Sequence, residues 1–230
     1  MSTPQLCLHH ELTLLILDDL KGSLHGTSYQ YGLAGAIISE LLLQGVIKVS
    51  DDEKKMVTVA ISTAVGDPLL DEVVKMISEA AKPHDMKHWV SKVATLKELH
   101  HRIAKQLCDL EILSYDESKV LWLFTQKRYP EIDGTCENAI RSRMAEAMFS
   151  QQKPDTRTAV AIALAHTSGA LAANFPKVEL TQHKERIQEI CDGKLLASGA
   201  TVEVIAAVNA SLAAAMIASN AAIIAATTAS

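Results

Sequence analysis

From Val204 to Ser230 the chain carries no charged residue, so this stretch must either cross a bilayer or bury itself against the rest of the protein. It is long enough to span a hydrocarbon core, yet it is mostly alanine and holds Asn209, Ser211, Ser219 and Asn220. Its larger apolar residues, Ile205, Val208, Leu212, Met216, Ile223 and Ile224, recur near helical spacing, which predicts a buried or groove-docked helix. At the other end His9, His10 and Glu11 interrupt the first apolar run, so no signal peptide is expected. Aromatic residues make up only 4% of the chain while Ala, Leu and Ile abound, which disfavours aromatic-rich sandwiches and barrels. Hydrophobic residues at 48% against charged residues at 21% suffice for a packed core. The cysteines Cys7, Cys108, Cys136 and Cys191 show no C-x-x-C spacing; neither a zinc ribbon nor a disulfide framework is expected, and a reducing, cytoplasmic location fits.

Helix punctuation is frequent along the rest of the chain. A helix is predicted within Leu6 to Leu20 and another over Gly32 to Leu43, stopped by Gly45. Asp67, Pro68, Asp71 and Glu72 open a helix to about Ala81. Further helices are expected around His84 to Val93, over Leu96 to Leu110, from Thr135 through Phe149, from Pro154 and Asp155 through Ala172, and around Gln182 to Ile190. Val46–Val49 with Met56–Ile61, and Glu111–Tyr115 with Lys119–Phe124, read as hairpins around acidic turns. The chain thus twice repeats helix, strand, acidic turn, strand, a weak echo of winged helices. The fold class expected is mainly α, a single globular helical domain over residues 6–226 with two embedded β-hairpins, between short tails at 1–5 and 227–230.

Net charge is −5, but it is unevenly placed. Between Lys82 and Lys105 six basic residues face two acidic ones, and Lys97, His101 and Lys105 are spaced to share one face of their helix. Beside them the run Val120, Leu121, Trp122, Leu123, Phe124 is continuously apolar, and a wedge next to a cationic face suits an anionic membrane surface. His84, Asp85 and His88 superficially imitate a helical zinc motif but lack a third ligand. Adjacent histidines, His9/His10 and His100/His101, are expected to point apart on their helices, and no metal site or other cofactor is expected. No nucleophile elbow, P-loop or dinucleotide fingerprint occurs, so the chain is not expected to be an enzyme.

Five blocks in order, LCLHHELTLLILDDLKG from Leu6, GLAGAIISELLLQGVI from Gly32, GDPLLDEVVKMI from Gly66, RIAKQLCDLEIL from Arg102 and RTAVAIALAHTSGAL from Arg157, resemble those of the Golgi phosphoprotein 3 family. The resemblance implies a mostly helical peripheral membrane protein. Eukaryotic members bind phosphatidylinositol 4-phosphate on Golgi membranes, hold glycosyltransferase tails and contact the vesicle coat; homologues of unknown role occur in bacteria. Of the family's headgroup-binding arginines, one falls on Ala34 and two fall on Lys97 and His100, where the second cation becomes titratable. The family's tryptophan lies in a loop that is shorter here, and the nearest aromatic is Tyr29.

The expected function is that of a membrane adaptor in protein trafficking or retention, peripheral to membranes and at the Golgi if the source is eukaryotic. Lys97, His100, Arg102 and Tyr29 are the expected headgroup ligands, binding an anionic phospholipid such as phosphatidylinositol 4-phosphate more tightly as His100 protonates towards pH 6. Leu121, Trp122 and Leu123 are the expected contacts to membrane or to a second copy in a homo-oligomer. Membrane-protein tails are possible partners and nucleic acid is not. The alternatives are a soluble protein-interaction scaffold whose lipid pocket has decayed and a winged-helix nucleic-acid binder.

Overall fold

Helix α1 (Leu8–Ile16) is buried along its whole length, polar residues His9, His10, Glu11 and Thr13 included. A helix covered on every side sits at the centre of a core, and the others are arranged around it. The computed structural model describes residues 5–17, 29–50, 52–120 and 124–195 together with Ile205 and Asn209, with backbone alone at 118–120 and 124–126. Helix α2 (Tyr29–Leu43) packs on α1 and is buried from Gly32 to Leu41. Gly32 lets α2 approach its neighbours, since a Cβ there would lie 3.4 Å from the Leu12 side chain on α1 and 3.2 Å from that of Ser168. The third central helix, to be called α7 (Thr156–Ser168), touches both.

Two carboxylates in this core find guanidinium partners from distant parts of the chain. Arg157 on α7 lies 3.1 Å from Glu11 and 3.0 Å from Glu40, and it also donates to the Leu6 carbonyl. Arg143 reaches the other oxygen of Glu11 at 2.6 Å. Burial pushes the Glu40 carboxyl up, but hydrogen bonds from Arg157 and the Leu8 amide outweigh it and hold the group below its usual range. Removing Arg157 would leave the buried Glu40 carboxylate without its cationic partner while Glu11 keeps Arg143, and an uncompensated buried charge costs about 3–5 kcal/mol.

The peripheral elements follow their caps. Helix α3 (Pro68–Ser78) starts where Asp67 accepts the Leu69 and Leu70 amides at 2.8 and 3.0 Å with proline at the first turn. Strands β1 (Ile47–Val49) and β2 (Met56–Val59) pair antiparallel as expected, and Gly45, at φ 67°, stops α2. His84 and Asp85 are not helical: they form a short third strand, β3 (His84–Asp85), on β2, and Asp85 then caps α4 (Met86–Ala94). Helix α5 (Leu99–Asp109) begins three residues later than its apolar periodicity suggests, because Glu98 adopts a left-handed conformation, φ 54°.

The second hairpin is displaced from its expected place. Asp116–Ser118 belong to strand β4 (Asp116–Val120), which pairs with β5 (Phe124–Arg128) from Asp116↔Arg128 to Val120↔Phe124. The expected turn residues are thus strand. Leu121, Trp122 and Leu123 lie outside the described residues, as do the loop around Gly22–Gly26 and most of the uncharged C-terminal stretch.

Helix α6 (Thr135–Phe149) precedes α7, and Gly169 at φ 81° ends α7 before the Ala172 expected, starting the short α8 (Ala170–Asn174). Helices α9 (Lys177–Gln182) and α10 (Lys184–Cys191) complete the series, the first of them unanticipated. Buried Ile205 reaches the neighbourhood of Gly193, where an added Cβ would lie 3.2 Å from its side chain. The fold is a mainly α, single globular helical domain, with two small antiparallel sheets and no barrel among the described residues. Among the described residues no helix is long and apolar enough to cross a membrane.

Candidate functional site

Helix α5 buries Leu99, Ile103, Ala104 and Leu107 against the centre of the fold, which turns its polar residues outward. Lys105 is exposed, and His101 and Arg102 are half-buried. Because α5 starts at Leu99, Lys97 does not share its helical face with His101 and Lys105; it projects, exposed, from the preceding turn. Lys127 of β5 bridges to Glu98 at 3.1 Å and so fastens the second hairpin to the start of α5. Between the two lies a cleft of about 500 Å³, walled by His101, Arg102 and Lys105 on one side and Tyr115, Lys127 and Tyr129 on the other.

The hairpin register explains the tyrosines. Asp116 pairs with Arg128, so Tyr115 and Tyr129 flank that pair at the open end, with ring centroids 5.6 Å apart. Tyr129 shares a 3.0 Å hydrogen bond with Nδ1 of His101. Burial, then the neighbouring Tyr115, pushes the Tyr129 hydroxyl up to about 12, so it keeps its proton. A cleft with two lysines, an arginine and two hydroxyls can hold an anion, although Arg102 is ion-paired with Glu72 and Lys127 with Glu98. Lys97 and Lys105 form no ion pair among the described residues.

The four expected headgroup ligands are divided among three places. Tyr29, the first residue of α2, meets the His100 ring edge-on with centroids 5.5 Å apart. Lys97 is on the turn before α5, whereas Arg102 lines the cleft. His100 does not behave as a titratable cation near neutral pH. Burial, followed by the adjacent His101, pushes it down to about 4, so the expected strengthening of binding between pH 7.5 and pH 6 has no source in this residue. Ala34, at the position of a family arginine, is fully buried in the core and offers a phosphate nothing.

The cleft tyrosines escaped the sequence reading, since only the strand register brings Tyr115 and Tyr129 together. The histidine pairs also differ from expectation. The rings of His100 and His101 lie 3.8 Å apart, and those of His9 and His10 lie 4.2 Å apart, so neither pair diverges. The His84 and His88 rings stack nearly parallel at 3.8 Å. Stacked faces keep the ring nitrogens from converging on one ion, which disposes of the zinc-motif likeness.

The profile of the Golgi phosphoprotein 3 (GPP34) family matches residues 8–211. A curated relative, vacuolar protein sorting-associated protein 74 of Eremothecium gossypii, is 27% identical over an alignment that covers 73% of this chain and 61% of the relative. The chain therefore spans somewhat less than two thirds of that relative's length. The match takes in α1 through α10, both hairpins and the cationic face of α5, and on that extent the chain belongs to the Golgi phosphoprotein 3 family, whose members are lipid-interacting, peripheral and non-catalytic.

Proposed function

We propose that this protein is a membrane adaptor, acting in protein trafficking or retention, that binds anionic phospholipid through the cationic surface formed by α5 and the turn before it. Phosphatidylinositol 4-phosphate-like headgroups are the ligands that the family suggests. The observation that carries the reading is the pair of lysines, Lys97 and Lys105, exposed and outside any ion pair among the described residues, beside a cleft with tyrosine hydroxyls. His100 and Tyr29 then serve as neutral polar walls, and Arg102 contributes after exchanging Glu72 for a phosphate. Leu121, Trp122 and Leu123 supply an apolar contact to the bilayer or to a second copy. The name of the fungal relative, a sorting protein, agrees with a trafficking role.

A vesicle panel tests the reading. Neutral vesicles are compared with vesicles holding phosphatidylserine, phosphatidylinositol or phosphatidylinositol 4-phosphate at equal charge. Binding is expected to favour the anionic sets, with the monophosphate highest. Replacing both Lys97 and Lys105 by alanine should weaken it roughly thirty-fold, at about 1 kcal/mol for each lysine near a charged surface. Equal binding to neutral and anionic vesicles overturns the proposal. Burial of Ala34 and pairing of Arg102 and Lys127 favour a second reading, a soluble scaffold that keeps protein contacts without a headgroup pocket. That reading predicts no vesicle binding by a chain that still captures membrane-protein tails.

A further inference from the structure

Among the described residues, one group of His, Cys, Asp and Glu side chains is close enough to share an ion. Cys7, His9, His10 and Asp67 each offer a ligand atom within 4.8 Å of the other three. Three come from the first turn of α1 and its cap, and the fourth is the residue that caps α3. The lipid reading uses none of them.

His9 is the member that most needs an explanation. It has no exposure to solvent; among the described residues Nδ1 has no hydrogen-bond partner, and Nε2 has only the poorly aligned carboxylate of Asp67, with Oδ2 at 3.3 Å. A buried polar group left in this state is costly and rare in native structures. A neutral imidazole carries one lone pair and one N–H, so coordination of a cation would satisfy the acceptor.

Its neighbours are arranged as a metal centre's surroundings usually are. Oε1 of Gln106 accepts from Nε2 of His10 at 3.1 Å, and the Gln106 amide nitrogen donates to Oδ2 of Asp67 at 3.1 Å. That orientation places the His10 proton on Nε2 and leaves the Nδ1 lone pair, which accepts a 3.3 Å hydrogen bond from the Cys7 amide as half of the α1 capping box and would exchange it for the ion. An amide oxygen that receives the far N–H of a ligating histidine is a usual second partner of such sites. Asp67 uses Oδ1 for the α3 cap, and Oδ2, which accepts from Gln106, has a second lone pair for the ion.

We propose that Cys7, His9, His10 and Asp67 bind one borderline divalent cation, zinc foremost, which ties the first turn of α1 to the start of α3. One thiolate, one carboxylate and two imidazoles make a nitrogen, sulfur and oxygen set suited to tetrahedral zinc. Two negative ligands against a dication also leave the buried site neutral, which limits the cost of placing charge there. Coordination forms a Zn–S bond and releases the Cys7 proton to solvent. A tetrahedral ion with bonds of about 2.0–2.3 Å holds its ligands roughly 3.3–3.8 Å apart, so the four atoms close in by about 1 Å. Cys7 is half-buried and Asp67 keeps 13% side-chain exposure, which gives the ion a way in from solvent.

The test uses the full chain, stripped with chelator and titrated with zinc against a colorimetric chelator, and separately with cobalt. One zinc per chain is expected, together with a cobalt spectrum carrying a thiolate charge-transfer band and the intense visible bands of tetrahedral geometry. Cys7→Ser should abolish the charge-transfer band and weaken zinc at least a hundred-fold, and Gln106→Leu should weaken it about ten-fold. His84→Ala with His88→Ala should change nothing. Absence of the thiolate band in the native chain overturns the proposal even if every variant fails to fold. Stoichiometric zinc that survives Cys7→Ser but disappears with His84→Ala and His88→Ala overturns it as well, because the ion would then sit on the exposed pair.

Discussion

His100 is a residue whose chemistry is set by where its neighbours put it. The sequence offers a histidine in place of a family arginine, which suggests a cation that appears as pH falls through about 6.5. The Tyr29 ring meets it edge-on, and burial with His101 lowers its pKa to about 4. A folded-state value below the unfolded one means that the unfolded chain binds more protons between those limits. The stabilising contribution of neutral His100 is therefore complete above about pH 6.5 and is lost progressively as pH falls from there towards 4. Allowing for its partial contact with water, the loss is at most about 2 kcal/mol. Urea midpoints measured at pH 7.5, 6 and 4.5 should fall more for the native protein than for His100→Gln. Parallel declines for the two would show that His100 is solvated and ordinary. The same reasoning predicts that vesicle binding at pH 7.5 and pH 6 differs no more in the native protein than in His100→Gln.

At the level of elements, local rules were legible where the physics is local. Asp67 with Pro68, Asp155 before Thr156, and Gly45 after Leu43 each satisfy orphan backbone groups or supply a positive φ within a few residues, and all three occur where the sequence puts them. Pairings between distant segments were not legible. His84 and Asp85 become a strand only because β2 has a free edge, and Arg157 finds Glu11 and Glu40 only when α7 packs on α1 and α2. The same holds for the candidate site: its lysines could be named from charge, but its tyrosine wall depends on the β4–β5 register. Gly169 lies between these cases. A Gly inside an apparently continuous Ala-rich helix reads as tolerated, yet it takes φ 81° and ends α7. Nothing lies within 4 Å of an added Cβ there, so Gly169→Ala should cost only the left-handed strain, about 1 kcal/mol, less what it removes from unfolded-chain entropy. Chemical denaturation should show a lower midpoint at an unchanged slope. A midpoint equal to or above the native one would mean that the helix runs through position 169 at no cost.

For the whole molecule the question is how a chain of net charge −5 approaches an anionic surface. The mean field is repulsive, so attraction must come from cations gathered on one face within a Debye length, about 8 Å at physiological salt. Two of the cations on the cleft are held by carboxylates, Arg102 by Glu72 and Lys127 by Glu98, and both pairs are substantially exposed. Exposed pairs of this kind contribute about 0–1 kcal/mol to stability, so their disruption leaves the fold intact. Glu72→Gln with Glu98→Gln should therefore free two cations at a small cost in stability and remove two negative charges from the approaching face. If this face meets the membrane, affinity for phosphatidylserine-containing vesicles should rise about thirty-fold, at roughly 1 kcal/mol for each of the two released cations. The decline of binding with added salt should steepen in the same variant, because more of its binding energy is screened. Lys97→Ala with Lys105→Ala, placed in that background, should cancel most of the gain. A double glutamine variant that binds vesicles no better than the native chain, while folding equally well, would move the membrane contact away from the cleft and leave α5 as a face for protein partners.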